Sequence, residues 1–240
     1  MRKSNRFPKD YRPDISRKLF LNAGVFPETP DSFDRFYVAY LDALSQCDLL
    51  ASWDVPGEAE ALNCYCKFAT LIKLASFEAY LSTEPWTAAL KGKRVLVISP
   101  FVDSIRAQYA HRHDLWDDPN VLPSFELHTI RAPFSAGLVP PKDCNWSSAV
   151  SRMEEEMDLL DYDVAIIGAG AFSLPLAVHA KHRGKVGVHL GGPTQILFGI
   201  KGDRWQKFET IRCFFKDSWV RPMKEETPSS CAAIENGCYW

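Results

Sequence analysis

No stretch of the 240-residue chain has enough consecutive apolar residues to span a bilayer, and no signal-peptide core follows its basic start. Both absences point to an intracellular, cytoplasmic protein. There is also no cysteine framework. Seven cysteines is an odd number, scattered without regular spacing, as expected of reduced thiols. Cys64-Tyr-Cys66 is too tight for a zinc knuckle and has no second pair to complement it. His111-Arg-His113 falls at the expected end of a helix, where the two side chains diverge. Charge of either sign is nearly balanced at −2, which gives no general attraction to nucleic acid. The G-x-S-x-G elbow, the phosphate-binding G-x-x-x-x-G-K-[ST] loop and H-E-x-x-H are all missing, which argues against the enzymes built on them.

What the chain does contain is ordinary for a globular protein, with 46% hydrophobic and 24% charged residues. Basic residues cluster at the start: Arg2, Lys3, Arg6, Lys9, Arg12, Arg17 and Lys18. Residues 1–20 are therefore expected to form an irregular basic arm. It is a solvated terminus on the simplest reading, and a peripheral membrane contact on another. Residues 21–240 are expected to fold as a single α/β domain.

The pattern along that domain alternates. Thr29-Pro30-Asp31 opens a helix, with Thr as cap and Pro at the first helical position. Short strands are expected after Cys47 and near Leu71, with a helix through Cys64 between them. Val95-Leu-Val-Ile-Ser is the clearest strand of the first half, followed by a helix with Val102, Ile105 and Tyr109 on one side. A strand at Phe125 and a helix capped by Asn145 precede the most informative segment. This is Val164-Ala-Ile-Ile-Gly-Ala-Gly-Ala, answered by Val186-Gly-Val-His-Leu-Gly-Gly-Pro. Each half reads as a buried strand running through a glycine turn into a helix. The rhythm argues for an α/β fold with a largely parallel sheet and helices on both faces, of Rossmann-like type. Two such turns side by side would form a crevice at the carboxyl edge of the sheet, where free amides suit an anion.

The first turn is not a dinucleotide fingerprint. Ser173 stands where a third glycine is required, and the next strand ends at His189-Leu190 with no acidic residue to hold a ribose. Neither NAD nor FAD is expected. A purely structural use of the glycines, as tight turns, stays open beside the ligand reading.

Several segments resemble a family of bacterial polysaccharide-cluster proteins with a GT-D-like glycosyltransferase fold. They are Asn22-Ala-Gly-Val-Phe-Pro, Trp53 with Pro56-Gly-Glu58, Lys91 to Phe101 with Ser104-Ile, and Leu122-Pro-Ser-Phe-Glu-Leu. Gly168-Ala-Gly-Ala, His189-Leu-Gly-Gly, the block from Gln195 to Trp205 and the closing Gly237-Cys-Tyr-Trp complete the set. Members usually carry a glycine- and acid-containing motif upstream, and none precedes Asn22 here. The resemblance implies transfer of a sugar from a nucleotide sugar, most simply a UDP-sugar, to a glycan or lipid-linked acceptor. It also implies help from Mn²⁺ or Mg²⁺. A non-catalytic nucleotide-binding or scaffold protein with a degenerate glycosyltransferase site is the alternative.

Glycosyl transfer needs a diphosphate clamp, stabilisation of the leaving charge and an acid or base near the acceptor hydroxyl. The clamp is expected from the backbone of Gly168, Ala169, Gly170, Ala171, Gly191 and Gly192, with Ser99 and Ser104 at the neighbouring strand end. Lys201 and Arg204 are expected to pair with phosphate oxygens, with His189 and Gln195 as further polar contacts. Asp54 and Glu58, on the loop after an early strand, are the expected acid or base, followed by Asp103. Trp53 and Trp205 are candidates to stack on a ring.

Overall fold

The computed structural model describes residues 11–240. Among the described residues two sheets are present, both with parallel strands only. β1 (Leu49–Ser52) and β2 (Thr70–Lys73) form a small separate pair. The main sheet holds β3 (Arg94–Ser99), β4 (Glu126–Arg131), β5 (Val164–Ile167) and β6 (Val186–His189), in the order β4-β3-β5-β6. The α/β class with parallel strands and helices on both faces is as the sequence predicts. The single continuous sheet implied by the strand rhythm is instead divided in two.

Eight helices matter here: α1 (Pro13–Lys18), α2 (Pro30–Leu44), α3 (Glu58–Tyr65), α4 (Leu74–Phe77), α5 (Val102–Ala110), α6 (Trp146–Asp158), α7 (Ser173–His182) and α8 (Pro193–Leu197). Local signals set their starts. The Thr29 hydroxyl accepts from the Ser32 amide at 3.4 Å, and the Asn145 side chain accepts from the Ser148 amide at 2.9 Å. One expectation is corrected at the N-terminus. Residues 13–18 are helical rather than irregular, and Tyr11, Leu19 and Phe20 pack on the core. Arg12 and Arg17 are paired with Asp14 and Glu28. Lys18 ends α1, and the other basic residues, Arg2, Lys3, Arg6 and Lys9, lie outside the described residues.

β3 shows why the sheet is buried. Successive side chains of a strand point to opposite faces. Val95 and Val97 join the layer containing Ile105, Tyr109 and Trp205, whereas Leu96 and Ile98 join the layer containing Met153, Met157 and Leu176. All four strand residues are fully buried, each contributing roughly 1.5–3 kcal/mol of transfer free energy. A strand apolar on both faces cannot sit at a surface. It becomes the centre of the molecule.

The strand order then positions the site. From β3 the chain crosses to β4 on one side and returns to β5 on the other. Loops leaving β3 and β5 therefore depart in opposite directions, and a crevice opens between them at the carboxyl ends. Among the described residues, no helix is long and apolar enough to cross a membrane.

Candidate functional site

A cavity of about 150 Å³ occupies that switch point. Its walls come from every carboxyl end of the main sheet: residues 99–101 after β3, 133–135 after β4, 168–170 after β5 and 191–194 after β6. Asn22, Ala23 and Gly24 close one side, and Ile234, Tyr239 and Trp240 of the C-terminal segment close another. Phe101, Phe134 and Trp240 form an aromatic trio on the wall, with centroids 6.0 to 6.3 Å apart. Sequence reasoning did not single out Phe101 or Phe134 as site residues, because a lone aromatic after a strand looks like core.

The two glycine turns meet. A Cβ added to Gly168 would stand 2.7 Å from the Gly191 carbonyl oxygen and 2.7 Å from the Thr194 hydroxyl. At Gly170 the backbone has φ +56, and a Cβ would lie 2.8 Å from the Ala23 carbonyl oxygen. Some of the expected amide donors are nevertheless already engaged. Gly168 donates to Ile98 O (2.9 Å), Gly191 donates to Ile167 O (3.0 Å), and Ala169 donates to the Ser173 hydroxyl (2.9 Å). The amides of Gly170 and Gly192 have no main-chain acceptor among the described residues. Ala171 is buried and lies off the wall.

The expected side chains divide sharply. Ser99 is on the wall, with its hydroxyl accepting from the Phe101 amide at 3.2 Å. Gln195 is there too, but both of its polar ends are used locally. Its Nε2 donates to Tyr239 O at 2.6 Å, and its Oε1 accepts from Trp205 Nε1 at 3.3 Å. Trp205 itself is core, 7% exposed. His189 stands behind the wall, its Nε2 3.8 Å from where a Cβ on Gly191 would be. Burial holds its imidazole down to about 4, so it is neutral at pH 7 and brings no cation to the crevice.

The remaining candidates do not reach the cavity. Arg204 pairs with Glu235, and its guanidinium sits over the Tyr239 ring, 4.7 Å from the centroid. It anchors the C-terminal segment instead of facing a ligand. Lys201 lies over Phe215 at 5.7 Å. Asp103 is bound by Arg131 (2.5 Å) and Arg106 (3.6 Å). Ser104 is fully buried, its hydroxyl donating to Glu226 at 2.5 Å. Asp54, on the loop after β1, and Glu58, the first residue of α3, lie beside the other sheet. There the Ser52 hydroxyl lies within hydrogen-bond distance of both carboxylates, and the Trp53 and Val55 amides donate to Glu58. These bonds, the Trp53 amide foremost, hold the Glu58 carboxyl below its usual range. Its role is to cap a loop. Trp53 is 69% exposed and stacks on nothing at the cavity.

Two further residues escaped the sequence reading. Glu226 is fully buried and accepts from the Asp103 amide (2.8 Å), the Ser104 amide (3.1 Å), the Ser104 hydroxyl and Arg131 Nη1 (3.1 Å). A chain carboxylate thus sits on the start of α5, where the dipole favours negative charge. Thr194 lines the cavity, and its hydroxyl is buried with no partner among the described residues. For Thr194 a signal existed: a hydroxyl residue two positions after a Gly-Gly turn. For Glu226 there was none, since its partners are more than 90 positions away.

No charged side chain lines the cavity among the described residues. A divalent cation held tightly by a protein takes one or more carboxylates among its oxygen ligands, and the neutral oxygens of this wall supply no negative charge to hold it. The residues present do not fit the metal that the glycosyltransferase resemblance implies. No family model, curated protein or solved structure matches the chain.

Proposed function

We propose that the protein binds a nucleoside diphosphate sugar in the switch-point crevice, as a relative of the GT-D-like glycosyltransferases. One observation carries this reading. Most of the segments in which the resemblance lies, Asn22 to Gly24, Ser99 to Phe101, Gly168 to Gly170, Gly191 with Gly192, Gln195 and Tyr239 with Trp240, line a single cavity. Aromatic rings on its wall suit a base or sugar ring, and the glycine turns let a phosphate approach the main chain. The cavity is open to solvent and its volume is below the 300–1,000 Å³ or so of typical ligand sites, so part of such a ligand lies outside it.

Transfer itself has weaker support than binding. Asp54, Glu58 and Asp103 are all engaged elsewhere, and among the described residues no side-chain carboxylate stands on the wall to act as base. This favours the second reading, a nucleotide-sugar-binding protein with a degenerate site. Titration calorimetry with UDP and UDP-sugars, with and without Mn²⁺, tests both. Binding that does not depend on Mn²⁺, with no release of sugar over hours, is the expected result. Turnover with an added glycan or lipid-linked acceptor would favour the transferase. No binding to any nucleotide or nucleotide sugar would overturn the proposal.

A further inference from the structure

Thr194 differs from every other polar residue of the cavity. The residue is 2% exposed, and its Oγ1 has no hydrogen-bond partner among the described residues. Leaving a buried hydroxyl unpaired costs about 1–3 kcal/mol, and folded proteins avoid it almost everywhere. Other buried polar side-chain atoms are also unpaired, Thr129 Oγ1 and the Tyr162 hydroxyl among them, but Thr194 is the one of them on the cavity wall, where a ligand can supply the partner. Oγ1 stands beside Gly168, at the seam where the two glycine turns touch, and any side chain at 168 would collide with it. The Gly192 amide, two residues earlier, and the Gly170 amide, at the turn that leads into α7, belong to the same wall. Neither has a main-chain acceptor among the described residues. The positive end of the ten-residue α7 adds to them.

We propose that Thr194 recognises the ligand's anionic group: its hydroxyl donates to a phosphate oxygen seated at the junction of the two turns. Arg204 and Lys201, the cations expected for this task, are occupied at the C-terminal segment and over Phe215. Recognition here is by neutral donors. The inference deepens the nucleotide-sugar reading and rests on it for the nucleoside part of the ligand, whereas the anion follows from the donors.

Thr194→Val keeps the shape and removes the hydroxyl, and Thr194→Ser keeps the hydroxyl and removes the methyl. Calorimetry with UDP is expected to show Val binding about tenfold weaker or worse, from one lost charge-assisted bond. Its melting temperature should be unchanged or higher, and Ser should bind close to wild type. Val binding as tightly as wild type overturns the proposal, and so does an equal loss in Val and Ser. Inorganic phosphate, followed by amide chemical shifts of Gly170 and Gly192, separates the two readings. Shifts that occur in wild type and vanish in Val, with no UDP binding, leave Thr194 as the anion contact and remove the nucleotide sugar. Response to neither probe overturns both.

Discussion

A histidine with no charged partner among the described residues, half-buried behind a glycine turn, titrates unlike one in water. The imidazole of His189 is held at about 4 in the folded state, below the ordinary 6.5. The unfolded chain therefore takes up the proton first as pH falls. Stability from this residue is complete above about pH 6.5 and is lost progressively toward pH 4. Urea denaturation at pH 7.5, 6.0 and 4.5 should show that decline, and His189→Gln should flatten it. Asp163, held low chiefly by its hydrogen bond to Arg94, adds a loss only at lower pH, within and below the carboxylate range. The two windows are separable. At this scale the sequence identified residue types well and their duties poorly. Arg204 and Asp103 looked available because the groups that bind them most closely are not near them in the chain. Their partners, Glu235 and Arg131, lie 31 and 28 positions away.

Elements were more legible, because their signals are local. Proline at the first position of α2, the caps at Thr29 and Asn145 and the apolar run of β3 all act within a few residues of themselves. The glycine turns are legible for the same reason, and Gly170 gives a direct check. Its φ of +56 disfavours any side chain, and the Ala23 carbonyl blocks the space a Cβ would need. Gly184 has φ +71 with nothing within 4 Å. Gly184→Ala should therefore cost about 1 kcal/mol from the dihedral alone. Gly170→Ala should cost at least about 1 kcal/mol more, because the clash adds to the strain. Equal losses in guanidinium denaturation would mean that residues 22–24 yield easily. The helix at 13–18 was missed because its mixture of charges and one proline reads as loop, and only packing by its neighbours on the core makes it worthwhile.

At the scale of the molecule, the C-terminal segment closes what the sheet opens. Glu226 reaches back to the start of α5, the Trp240 indole donates to the Glu226 carbonyl at 2.7 Å, and Tyr239 O receives Gln195. These ties hold Ile234, Tyr239 and Trp240 on the cavity. Glu226→Ala would strand two amides, a buried hydroxyl and Arg131, at a cost on the order of 3 kcal/mol. Hydrogen exchange should then rise through residues 223–240 while β3 and β5 stay protected. Uniform exchange across the sheet would show that the segment is part of the central folding unit.

The sequence by itself determined the class of fold, the placement of most strands and helices, and the presence of two glycine turns after parallel strands. Each of these follows from periodicity, capping and backbone sterics, which operate over a few residues. Only the tertiary structure decided which side chains meet at the crevice. It brought Thr194 beside Gly168 and buried Glu226 on α5, while Asp54 and Glu58 stayed beside another sheet. Pairing between charges and the burial of a hydroxyl depend on segments far apart in the chain, and local pattern carries no record of them.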